Sequence, residues 1–145
     1  MNHSIKHLFH IDAKKSEVFN ALTTIDGLSK WWTKETTGDS NIGGIIKFRF
    51  AENGGPDMKV VELQSNEFVK WECVESPHGW ANHTFTFTLD DNDDKTRVRF
   101  SHDGWDDNDD FYAICSFSWV RYMESLRQLC QSGKGEAFGS EYHRK

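Results

Sequence analysis

His102 is the residue in this chain best suited to move a proton. Histidine titrates near neutrality and works as a general acid or base once it touches a substrate. Val98, Phe100 and His102 share strand parity, so alternation turns the imidazole toward the same face as its apolar neighbours. Tyr112 is the second candidate for proton transfer. Against a catalytic His102 stands the plainer role of a turn or capping histidine bonded to nearby backbone, which also fits His78 and His83 beside their turns. His7 and His10 have opposite parity and cannot place two ligands on one face, so no metal site is expected. The acidic runs do not form a calcium loop. Counted from Asp90, the sixth and twelfth positions hold Lys95 and Ser101, and counted from Asp106 they hold Phe111 and Phe117, where Gly and Glu are required. Phosphate loop, dinucleotide fingerprint and nucleophile elbow are all lacking, and Ser, His and Asp show no triad spacing. No cofactor is expected, and binding is favoured over catalysis.

The residues suited to binding are aromatic. Phe48, Phe50, Val69, Trp71, Phe85, Phe87, Val98 and Phe100 recur at strand spacing as one inward set. A C-terminal helical stretch carries Phe111, Cys115, Trp119, Tyr122, Leu126 and Leu129 as its apolar stripe, with Tyr112, Ser116, Trp119 and Met123 as a second, mixed stripe beside it. An apolar wall with a few polar groups is what a small-molecule pocket requires. Trp31 and Trp32 are adjacent and cannot face the same way on a short helix, so one suits the core and the other a cavity mouth. The expected cavity lining is therefore Trp31, Trp32, Phe48, Phe50, Trp71, Phe85, Phe87, Phe100, Trp105, Tyr112, Ser116, Trp119 and Met123. The alternative is a solid core made of the same residues.

The elements that must position these residues follow from periodicity. His3–Ile11 alternates as a half-buried strand. Ser16 opens a helix as N-cap or first-turn residue, with Val18, Phe19 and Leu22 as its stripe, and residues 24–28 break it. Leu28, Trp31 and Trp32 suit a second short helix, ending before the turn-like stretch 36–40. Five strands at hairpin spacing follow, separated by turns at 53–57, 64–66, 76–79 and 90–94. From Asp107 to about Ser132 the period is helical, with acids crowding the start and Gly133 as C-cap. Residues 135–145 read as a polar, frayed tail. The fold class is thus α+β: one domain over 1–145, with a curved antiparallel sheet of about six strands wrapped around a long C-terminal helix.

Composition limits the partners. The 145 residues make one domain, large enough to fold without disulfides or metal. A net charge of −6 and scattered basic residues (Lys47, Arg49, Arg97, Arg99) argue against nucleic acid. Cys73, Cys115 and Cys130 are odd in number, lack a C-x-x-C pair and sit in apolar patterns, as buried inert thiols do. Neither a signal peptide nor a membrane span is evident, so the cytoplasm is the expected compartment and membrane insertion is not expected.

Four segments carry a resemblance: Ser16–Leu22 (SEVFNAL), Leu28–Thr33 (LSKWWT), Gly43–Phe50 (GGIIKFRF), and Phe100–Trp105 (FSHDGW) continuing into Trp119–Leu126 (WVRYMESL). In this order and spacing the chain resembles the helix-grip fold of the START-like (SRPBCC) superfamily, in the branch of homologues of the activator of the heat-shock protein 90 ATPase. The similarity is to the C-terminal domain of that co-chaperone; the N-terminal domain that makes major contacts with the chaperone has no counterpart in these residues. The superfamily also includes lipid carriers, hormone receptors and polyketide cyclases, so one scaffold serves several functions. The resemblance implies, first, a hydrophobic or amphipathic small molecule held between sheet and helix. It implies, second, a chaperone-interacting domain of the stress response, and third a cyclase or aromatase using His102 or Tyr112. Whether two copies pair as a homodimer is left open.

Overall fold

The computed structural model describes residues 2–141 and 143. Strand β1 (His3–Ile11) is followed by helices α1 (Lys15–Thr23) and α2 (Ile25–Trp31), then by β2 (Glu35–Gly38), β3 (Ile45–Arg49), β4 (Asp57–Gln64), β5 (Phe68–Glu75), β6 (Thr84–Asn92) and β7 (Lys95–Trp105), and finally by the long helix α3 (Asp110–Ser132). The sheet order is β1-β7-β6-β5-β4-β3-β2 and every pairing is antiparallel. One curved sheet therefore grips one long helix, the α+β architecture that the periodicity predicts and the helix-grip fold that the resemblance implies.

Alternation sets the faces. Trp71 pairs with Phe85, Val69 with Phe87, Phe87 with Phe100, and Phe85 with His102, all of them buried. Such cross-strand pairs are the unit of sheet stabilisation. Two register shifts in β4, one across Asp57/Met58 and one across Val60/Glu62, add the local twist that curls the sheet around α3. Helix α3 begins at Asp109, whose carboxylate accepts from Tyr112 N at 3.1 Å, and ends at Gly133 in the left-handed region. Helix α2 is capped by Thr24, whose hydroxyl accepts from Gly27 N. Ser16 lies in the first turn of α1, and the N-cap is Lys14 without a side-chain bond.

Two departures from the periodicity matter. The stretch expected as a turn after the second helix contains β2, which brings the sheet to seven strands. Four residues (Glu-Thr-Thr-Gly) are too short and polar to show alternation, yet they pair with β3, and Thr36 turns inward against Thr33, hydroxyl to hydroxyl at 2.8 Å. The second departure follows α3. Phe138 donates its N–H to Trp32 O at 2.8 Å and accepts from Lys34 N at 2.9 Å, while Glu136 N donates to Ser125 Oγ at 2.6 Å. Residues 135–138 thus strap back onto α2, where only Gly135 fits: a Cβ there would lie 2.3 Å from Lys30 O. Part of the remaining tail (142, 144 and 145) lies outside the described residues.

Candidate functional site: an aromatic cleft beside helix α3

The inward aromatic set packs against itself. Trp31, Phe48, Trp71, Phe85, Phe87 and Phe100 are all at most 2% exposed. Ring centroids lie 4.2 Å apart for Trp32 and Phe48, 5.2 Å for Trp71 and Phe87, and 5.0 Å for Phe87 and Phe100. These are contact distances for aromatic pairs, so the space enclosed by the sheet is filled.

The open space lies at one end of the grip. A cleft of about 500 Å³ runs between α3 and the loops joining β3 to β4 and β5 to β6. That volume is in the range of small-molecule sites. Trp32, Phe50 and Trp119 form its floor, Trp80 and Pro56 its loop wall, and Ile114, Ser118 and Tyr122 its helix wall, with Phe138 closing one end. Trp80 stacks on Trp119 at 5.8 Å, and Trp32 lies 5.0 Å from the same ring. The few polar groups on the lining include His78, Ser118, Arg121 and the Tyr122 phenol.

Local chemistry fixes the loop wall. His78 Nε2 sits 2.7 Å from Asn53 O and ties one loop to the other. Arg49 pairs with Asp57 at 2.8 Å and also reaches Gly55 O at 3.3 Å, which pins the β3–β4 turn at its base. Gly55 is required there, because a Cβ would lie 2.0 Å from Phe48 O. Trp80 Nε1 is buried without an oxygen or nitrogen acceptor and faces the Cys115 thiol, a weak acceptor.

Behind the cleft runs a buried polar chain. Trp119 Nε1 donates to His102 Nδ1 at 3.0 Å, and His102 Nε2 lies 2.9 Å from His83 Nδ1. An indole N–H can only donate, so His102 carries its proton on Nε2 and passes a hydrogen bond on to His83. Burial, with His83 adjacent, pushes the His102 pKa down to about 2, and burial lowers His83 as well. Both His102 nitrogens are occupied and the ring is wholly buried. It holds Trp119 in place and cannot itself reach a molecule in the cleft.

The expected cavity set thus divides. Trp32, Phe50 and Trp119 meet on the cleft. Trp31 is core and donates its indole N–H to Ala21 O at 2.8 Å. Phe48, Trp71, Phe85, Phe87, Phe100 and Met123 are also core. Trp105 and Tyr112 pack together at 5.4 Å near the start of α3, and the Tyr112 hydroxyl donates to Ser4 O at 2.7 Å. Ser116 points to β1, its hydroxyl 3.4 Å from His7 Nε2. Trp80, Pro56, Tyr122 and Phe138 join the lining without having been singled out for it. They stand on loops, at a helix flank and on the strap, where no alternation marks them, although a tryptophan in a polar turn was a usable signal. Among the described residues, no group of three or more His, Cys, Asp or Glu is placed to hold a metal, and no helix is long and apolar enough to cross a membrane.

Fold and cleft together define a START-like helix-grip domain. The family described as "Activator of Hsp90 ATPase homolog 1-like protein" matches residues 12–131, and the chain belongs to that family. Among solved structures, the chain is similar to the Aha1 dimer from Colwellia psychrerythraea, at 38% identity and a TM-score of 0.84, covering 92% of this chain and 99% of that one. Protein SSP2350 from Staphylococcus saprophyticus shares the fold at 17% identity and TM-score 0.75, over 93% of this chain and 97% of that one. CalU16 from Micromonospora echinospora does so at 17% identity and TM-score 0.75, over 88% and 74%. No curated protein matches the chain.

Proposed function

We propose that this domain is a cytoplasmic binding protein for a hydrophobic or amphipathic small molecule, held in the cleft beside α3. The observation that supports this is the cleft itself: about 500 Å³ of open space walled by Trp32, Phe50, Trp80 and Trp119 in a domain whose core is otherwise filled. The flat rings offer apolar area at low entropic cost, and the Ser118 and Tyr122 hydroxyls can orient a polar end. Catalysis is not part of the reading. A proton donor must touch its substrate, whereas His102 is enclosed and the Tyr112 hydroxyl is engaged by Ser4 O.

The first test is native mass spectrometry of protein purified from its own host, with extraction of anything bound, followed by titration of the recovered compound against tryptophan emission. A stoichiometric apolar adduct that shifts the emission, and does so less in Trp119→Phe, supports the reading. A bare mass together with no emission change on titrating an anilinonaphthalene sulfonate probe would refute it.

A specific feature favours a second reading, in which the domain docks a protein. Ile114 and Phe117 on α3 are 62% and 72% exposed, with Phe111 and Val120 beside them. Contiguous apolar exposure of this kind marks interaction surfaces. The family's name points to the ATPase of the heat-shock protein 90 chaperone, and the Colwellia relative is described as a dimer. A pull-down with the chaperone that Phe117→Asp abolishes would support chaperone docking on this face.

A further inference from the structure

The outer face of α3 carries a seam with an internal symmetry. Asp110, Ile114, Phe117 and Arg121 follow one another at spacings of four, three and four, which keeps them in line along one side of a helix. All four are exposed, on the side opposite the buried Cys115, Trp119, Met123 and Leu126. The seam is acidic at its N-terminal end, apolar in the middle and basic at its C-terminal end. Its midpoint falls between residues 115 and 116. When the seam is turned end over end about that point, Asp110 falls on Arg121 and Ile114 falls on Phe117.

We infer that this seam docks a second copy of the chain, forming an antiparallel, two-fold α3–α3 interface. The inference rests on the second reading above, that α3 binds protein, and names the partner. An isologous contact requires that one surface be complementary to itself, and this seam meets that requirement in the order of its residues and in charge. Ile114 of each copy packs on Phe117 of the other, giving two apolar contacts about the axis. Asp110 of each copy faces Arg121 of the other, giving two ion pairs at the ends. A guanidinium has five donors in a planar fork, so Arg121 can take this carboxylate in addition to partners in its own chain. Beside the seam, Glu124 is engaged by Arg127 within its own chain, which limits repulsion from the acidic end of the second copy. Ala113 and Val120 flank the seam on the side away from the cleft.

The arrangement also affects the cleft. Ile114 and Arg121 belong to both the seam and the cleft lining, and Phe111 lines the cleft next to the seam. Pairing of two α3 helices therefore places the second copy along the cleft rim. A partner other than a second copy would have to match the Asp–Ile–Phe–Arg order; the chain itself supplies the match.

The test is sedimentation velocity on the full chain from micromolar to submillimolar concentration. The expected result is a reversible monomer–dimer equilibrium that Phe117→Asp shifts to monomer, raising the dissociation constant roughly tenfold or more. Phe117 is exposed, so circular dichroism and thermal melting should confirm that this variant is folded. Arg121→Asp and Asp110→Arg should each weaken the dimer, and the double variant Asp110→Arg/Arg121→Asp should restore it. A wild-type chain that stays monomeric throughout would overturn the proposal. So would a dimer indifferent to Phe117→Asp, or a double variant no tighter than the single ones. If the chain is monomeric but still captures the chaperone through Phe117, the second reading survives and this inference fails.

Discussion

Mild acid should destabilise this domain through one buried ring, His102. Its pKa lies at about 2 in the fold because burial disfavours the imidazolium and His83 adjoins it. In the unfolded chain a histidine returns to about 6.5. A base whose folded pKa is depressed is protonated first in the unfolded state, so stability is full above the unfolded value and is lost as pH falls below it. The slope approaches about 1.4 kcal/mol per pH unit, which amounts to about 2 kcal/mol between pH 7.5 and pH 5. That is a sizeable share of the ~5–15 kcal/mol that holds a domain together. The window lies above the range in which unfolded carboxylates titrate. Asp90, held down to about 2 by Arg97 and Arg99, acts only at lower pH. Urea unfolding should be followed at both pH values for the wild type and for His102→Gln. The glutamine oxygen can accept from Trp119 and its amide can donate to His83, but it does not titrate. The wild type should lose about 2 kcal/mol more than the variant across the window. His83 and His7, both also lowered by burial, add a smaller loss common to the two proteins. Equal losses in both proteins would show that His102 is not held neutral by the fold, and the hydrogen-bonded chain to Trp119 would need another account.

Other substitutions probe separate parts of the structure. Trp71→Ala and Phe87→Ala remove wholly buried rings, and each should cost roughly 3–5 kcal/mol in chemical denaturation; a loss below about 1 kcal/mol would mean the core relaxes around them. Asp109→Ala removes the α3 cap and should cost about 1 kcal/mol in the same assay, with no loss expected if water replaces the carboxylate. Burial pushes the Cys73 and Cys130 thiols up to about 11 and about 12. The wholly buried Cys73 should therefore react slowly with a disulfide reagent near neutral pH and quickly once urea is added, whereas the half-buried Cys130 is slowed by its raised pKa alone; fast labelling of Cys73 in the native protein would show an opening that the structure does not contain.

What could be read from the sequence, and what could not, follows from periodicity. Val69, Trp71 and Cys73, or Phe85, Phe87 and Leu89, alternate over whole strands, and every one is buried. The sheet, the long helix and the inward face are properties of such runs. Whether the inward rings leave a space is not, because it depends on how volumes sum across seven strands. Here Phe48, Trp71 and Phe87 close against Trp31 and Trp32, and the opening is displaced to where α3 meets loops. Those loops contribute Pro56 and Trp80, single residues set by a turn at Gly55 and a contact from His78 to Asn53, neither of which has a period. Helix α3 is the opposite case. Its buried stripe was legible at Cys115, Trp119 and Leu126, whereas Phe111, read into the same stripe, is exposed in the first turn, and Ile114, Phe117 and Val120 lie off that stripe. Apolar residues off the buried stripe of an amphipathic helix contribute nothing to the core. Their presence on α3 is therefore evidence, already contained in the chain's own sequence, that the helix has a second surface to cover.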